Sequence, residues 1–190
     1  LYSPVLTAGL PAALRAAEAG NFTPLLGLSS ALQAARGDEA VAQGMHFSVV
    51  CTEDMPRLAA APLPTAADFG AGLAPLYQQV CAAWPRAEVP AAFYQLPAAP
   101  VPVLLLSGGL DPATPPRHGE PVASALGARA RHVVVPNAGH GLLSLPCLRD
   151  AVFRFVDAAD DEQALRIDAD CARDIPRPPV FVPPGLGTPP

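Results

Sequence analysis

The six residues Val101-Pro102-Val103-Leu104-Leu105-Leu106 set the strongest limit on how this chain folds. The run is apolar at successive positions, so it offers no polar face to water. A strand of that kind is buried on both faces, as parallel strands covered by helices are. Turn-forming residues follow at once, from Ser107 to Pro116. A short helix is expected over 118–126, stopped by Gly127. A second β-branched run, His132-Val133-Val134-Val135, ends at Pro136. Another helix is expected over 146–158, with Leu148, Val152, Phe155 and Val156 at helical spacing. Strand, helix, strand, helix in this order predicts an α/β layer with parallel strands and right-handed crossovers.

Upstream of Pro100 the chain is Ala-rich and reads as helical. A helix over 11–19 stops at Gly20-Asn21. Thr23-Pro24 opens the next, with Thr as N-cap and Pro at the first helical position, and the run to Arg36 halts at Gly37. Asp38 can cap a third helix to about Val50, although the alternation of Met45-His46-Phe47-Ser48-Val49 leaves a strand as the competing reading. Thr65-Ala66-Ala67-Asp68 has the form of a capping box before a helix near 69–83 that ends at Trp84-Pro85. Proline, at 25 of 190 residues, is well above the usual share of about 5%, so the elements are short. The expected organisation is a mostly helical lid over 1–99, a core portion over 100–172, and an extended Pro-rich tail over 173–190. There is no internal repeat.

Composition removes several classes of function. With 51% apolar and 15% charged residues the chain is no disordered linker. The net charge is −5 and there is no basic run, so neither nucleic acid nor an anionic membrane is an expected partner. The longest uncharged stretch, Val89 to Leu110, is broken by Pro90, Pro97, Pro100 and Pro102 and reads as no membrane span. The chain starts at Leu1 without a signal peptide, and a preceding N-terminal part is expected to exist. Cys51, Cys81, Cys147 and Cys171 show no CxxC spacing; zinc is not expected, and disulfides in an exported protein are.

The chemistry gathers in two loops. Asp111 lies just beyond the first strand, in Ser107-Gly108-Gly109-Leu110-Asp111-Pro112-Ala113-Thr114, and His140 lies just beyond the second, between Gly139 and Gly141. In a parallel sheet, sites form outside the carboxyl ends of the strands. Adjacent strands would bring both side chains to that edge. A carboxylate that fixes one imidazole tautomer is the acid–base half of a nucleophilic triad. Bland alternatives are a turn aspartate before Pro112 and a surface histidine. His46, His118 and His132 read as structural or solvated, and Trp84 as core.

With its GGLDPATPP loop followed by VVVPNAGHG, the chain resembles the C-terminal portion of the α/β-hydrolase fold. More narrowly it resembles secreted tripeptidyl-aminopeptidase and proline-iminopeptidase-like hydrolases. The segment Cys51-Thr52-Glu53-Asp54-Met55-Pro56, with Cys81, Trp84, Cys147 and Cys171, fits that group. The resemblance covers about residues 5–172. It implies Asp111 as triad acid, His140 as triad base, and a secreted or periplasmic serine peptidase without metal or organic cofactor. Lid carboxylates in related aminopeptidases hold the substrate's free amino group, which points to Glu53 or Asp54; a solvated pair is the alternative. The nucleophile elbow G-x-S-x-G precedes the acid and the base in these folds. It does not occur here: Ser29 and Ser30 lack its second glycine, and Ser107 sits on the acid loop. The expected function is therefore an incomplete serine hydrolase, supplying Asp and His but not Ser, acting on peptides with a free N-terminus once its N-terminal half is present. An esterase of small substrates and a non-catalytic binding module are the alternatives. A pyrophosphatase loop, matched by Ser107-Gly108-Gly109-Leu110-Asp111, is disfavoured because Pro112, Pro115 and Pro116 delay any helix. Of three disulfide connectivities, Cys51–Cys81 and Cys147–Cys171 are expected, since each closes a local loop and leaves a lid free to move.

Overall fold

In the computed structural model, residues 3–35, 42–58, 73–96 and 98–183 are described. Contacts divide the chain into two units, Leu1–Gly37 with Leu96–Pro190, and Asp38–Gln95. This cut differs from the three-part organisation read from composition, which grouped residues 1–37 with the lid. The helices of that first stretch and the strands of the second half belong to one unit.

In the first unit, Ser3 caps α1 (Pro4–Thr7), and α2 (Leu10–Glu18) and α3 (Thr23–Ala35) form a helical hairpin. The turn between them is the one read from Gly20-Asn21. Gly20 takes φ +84°, and the amides of Gly20 and Asn21 close on the carbonyls of Ala17 and Ala16, both at 2.9 Å. The start of α3 is shifted by one residue from expectation. Thr23 is already helical, and the side chain of Asn21 accepts its amide at 3.1 Å.

Among the described residues the sheet of the first unit has two parallel strands, β1 (Val103–Gly108) and β2 (Ala130–Val135), paired from Val103 with Ala130 to Gly108 with Val135. The helix α7 (Pro116–Leu126) makes the crossover, and Gly127 at φ +57° ends it. The expected complete burial of β1 is not reached. Leu104, Leu105 and Leu106 are half-buried, because among the described residues β1 has a neighbour on one side only. Val135 and Leu148 are fully buried at the centre of the core, with Val133, Leu142, Ala151 and Ile167 around them.

The helix α8 (Pro146–Val156) buries Leu148 and Ala151, with Phe155 packed beside them. Val156, expected on the same face, is 71% exposed. At about 100° per residue it lies roughly 80° round the helix from Leu148, whereas Phe155 lies within about 20°. Asp160 caps α9 (Asp161–Leu165) by accepting the Gln163 amide at 2.8 Å, an element the sequence reading passed over. From Pro176 to Pro183 there is no regular structure; the Phe181 amide ties this stretch to the Ala8 carbonyl at 3.0 Å.

In the second unit, α4 (Gln43–Val49), a π-turn (Val50–Asp54) and α5 (Met55–Leu58) follow one another without a break, which settles residues 45–49 as helix. The helix α6 (Ala74–Ala83) ends at Trp84, whose extended backbone precedes Pro85. Buried Cys51, Met55 and Cys81 form a small core, flanked by Phe47, Tyr77 and Trp84. Trp84 is thus core, as read, and its Nε1 donates to Ser48 Oγ at 3.2 Å. The proposed caps at Asp38 and Thr65–Asp68, and the tail beyond 183, lie outside the described residues. Among the described residues no helix is long and apolar enough to cross a membrane.

Both expected disulfides are present, Cys51–Cys81 in the second unit and Cys147–Cys171 in the first. The latter pins the segment after α9 to the start of α8. Chain entropy assigns a loop of 24-residue separation about 3.5 kcal/mol. Replacing both Cys147 and Cys171 by Ser should lower the urea-unfolding free energy by about that amount; a change under about 1 kcal/mol would show that the loop is restrained without the bond.

Candidate active site

Parallel pairing brings the two loops together at the carboxyl ends of β1 and β2. The ladder continues past the strands: Gly109 N–H donates to Val135 O at 2.8 Å and Leu110 N–H to Ala138 O at 2.9 Å. The loops approach so closely that only glycine fits. A Cβ on Gly108 would lie 2.6 Å from Ala138 O, and one on Gly109 would lie 2.5 Å from Pro136 O. Both obstacles are backbone, which cannot rotate aside.

Asp111 sits where this close approach delivers it, 6% exposed. Its Oδ1 accepts the amides of Ala113 at 2.9 Å and Thr114 at 3.1 Å, so the side chain closes its own loop. Its Oδ2 accepts the Thr114 hydroxyl at 2.7 Å and the ring of His140, through Nδ1, at 2.8 Å. A carboxylate only accepts, so the proton between them resides on Nδ1. Thr114 Oγ1 also lies 3.2 Å from Nδ1. Burial pushes the Asp111 carboxyl up. The Thr114 hydroxyl, His140 and the two amides outweigh burial and hold it well below the usual carboxylate range. The charge is thus both present and fixed in direction. The His140 side chain is 48% exposed, and the following turn, Leu142–Ser144, is anchored by buried Leu142.

The structure therefore unites the two residues singled out in the sequence, and it adds Thr114. The signal was available: an Asp followed three residues later by Thr is the spacing at which a carboxylate meets both the amide and the hydroxyl. Of the other histidines, His132 bonds Ser107 Oγ at 2.9 Å through Nε2, and His46 bonds Tyr77 at 2.9 Å, both within packed surroundings. Glu53 and Asp54 lie in the second unit, in the π-turn. Glu53 is half-buried and its carbonyl accepts the Tyr94 hydroxyl at 2.7 Å; Asp54 is exposed. Neither side chain forms an ion pair among the described residues.

Comparison with known families places residues 65–171, more than half of the chain, in an α/β-hydrolase family described as TAP-like protein. The matched stretch contains both loops and three of the four cysteines. Neither a curated protein nor a solved structure matches the chain.

The depressed Asp111 carboxyl carries a sign for stability. A folded-state value below the unfolded one, about 3.9, adds stability that is fully present above that value and is lost as pH falls through the folded one. Asp111→Asn should therefore be less stable than wild type at pH 6 in urea unfolding, and the gap should narrow steadily below about pH 4. A gap that stayed constant to pH 2 would mean the carboxylate is not held by these four donors.

Proposed function

Starting from the chain's membership of the TAP-like α/β-hydrolase family, as the C-terminal portion of a tripeptidyl-aminopeptidase-like fold, we propose that it supplies the acid and base of a serine peptidase. The observation that carries the proposal is the 2.8 Å bond between buried Asp111 and His140 Nδ1. Asp111 holds the ring in one tautomer and stabilises the imidazolium. His140 takes the proton of an attacking serine at Nε2 and passes it to the leaving amine. No G-x-S-x-G occurs in this sequence, so the serine and the oxyanion donors come from a preceding segment of the complete enzyme.

In this proposal residues 1–99 contain the lid, residues 100–172 the core portion and 173–190 the tail. Glu53 or Asp54 receives the substrate's ammonium, which makes the enzyme an aminopeptidase. The two disulfides support a secreted or periplasmic setting, where such bonds persist. The reaction requires no metal or organic cofactor in this scheme.

In the complete enzyme, Asp111→Asn and His140→Ala should each lower turnover by about 10⁴, the size of a tautomer-breaking change. The 190-residue chain alone should not be labelled by a fluorophosphonate probe. Rates near wild type in either variant, or labelling of a serine in the isolated chain, would remove the triad assignment. Glu53→Gln or Asp54→Asn should weaken free peptides by about 10-fold or more relative to N-blocked peptides and esters. Equal losses on both would assign the two carboxylates to structure alone.

A further inference from the structure

Within the second unit a cavity of about 730 Å³ opens between α5, α6 and the turn Ala91–Tyr94. Its size is in the range of small-ligand sites. Thr52, Met55 and Pro56, spaced at about one helical turn, present one face of the π-turn and α5 to it. Glu53 and Asp54 do not line it. The cavity is cationic in a chain whose net charge is negative: Arg57 and Arg86 line it, against the single carboxylate of Glu88.

We infer that this cavity takes a small organic carboxylate with an apolar body, held at its charged end by Arg57 and Arg86. Two further observations support this. Neither guanidinium is used in an ion pair among the described residues. Arg57 is also preset: its Cζ stands 4.7 Å from the centre of the Tyr94 ring, and the Tyr94 hydroxyl donates to Glu53 O at 2.7 Å, which locks that ring in place. A stacked guanidinium keeps its edge donors for a planar acceptor, and a carboxylate matches that fork with two parallel bonds. The floor is firm, since Cys81 is disulfide-bonded and 2% exposed. Met55, Val89 and the Tyr94 ring give the apolar wall that a hydrocarbon body needs. This inference does not rest on the acyl-transfer proposal; the two share only Glu53, here through its main-chain carbonyl.

The shared chemistry belongs both to the C-terminal residue of a peptide and to a short acyl acid, so the probes separate them. N-acetyl-leucine, its neutral amide, hexanoate and inorganic phosphate are titrated into the full 190-residue chain by NMR or calorimetry at low salt. N-acetyl-leucine should bind at least tenfold more tightly than the amide, and more tightly than phosphate. Tighter binding of N-acetyl-leucine than of hexanoate assigns a peptide C-terminus; the reverse assigns an acyl acid. Arg86→Gln should weaken the acid about tenfold and leave the amide unchanged, and Glu88→Gln should strengthen the acid. Arg57→Gln should act like Arg86→Gln, but it also removes the ring stack, so Arg86→Gln carries the test if the Arg57 variant misfolds. Equal affinity for acid and amide, phosphate binding as tightly as the acid, no saturable binding of the acid, or no effect of Arg86→Gln would overturn the inference.

Discussion

The site depends on how closely two stretches of backbone can approach. Gly108 and Gly109 lie against Pro136, Ala138 and Gly139 with no room for a side-chain carbon on either. That contact continues the parallel ladder beyond the strands and fixes the height at which Asp111 and His140 leave their loops. Once the heights agree, the 2.8 Å bond between Nδ1 and Oδ2 needs no adjustment from long flexible side chains. Geometry that precise is more secure on the ends of paired strands than on free loops.

Electrostatics then completes what packing starts. A carboxylate buried to this degree would ordinarily be driven toward its neutral form. Asp111 escapes because four donors converge on it from only two sources, its own loop and His140. The three donors from its own loop do not require the histidine at all. The loop thus fixes the direction of the carboxylate independently of the ring, which is the condition for the ring to be oriented by it.

Much of this was legible in the residues, and the parts that were not have identifiable causes. The two strands, the crossover helix and the closing helix follow from runs of apolar and β-branched residues punctuated by Gly and Pro, and their observed bounds lie within a few residues of expectation. The Asp–His pairing followed from the place of both residues just beyond two strands expected to be adjacent, together with the family resemblance. Thr114 was overlooked because its role comes from local loop closure and carries no periodic signal. The burial of Leu104–Leu106 was overestimated because a sequence run reports the covering a strand can accept, not the covering it receives. Residues 1–37 join the first unit through contacts with distant parts of the chain, which composition cannot report.

The unit Asp38–Gln95 is a continuous stretch set into a chain that otherwise forms a single unit on either side of it. Its cystine, Cys51–Cys81, begins and ends inside that stretch, and the other cystine lies wholly outside it. Among the described residues no disulfide crosses the boundary. The inserted stretch carries its own crosslink and its own small core, so its sequence can drift, lengthen or be exchanged without rewiring the oxidative folding of its host.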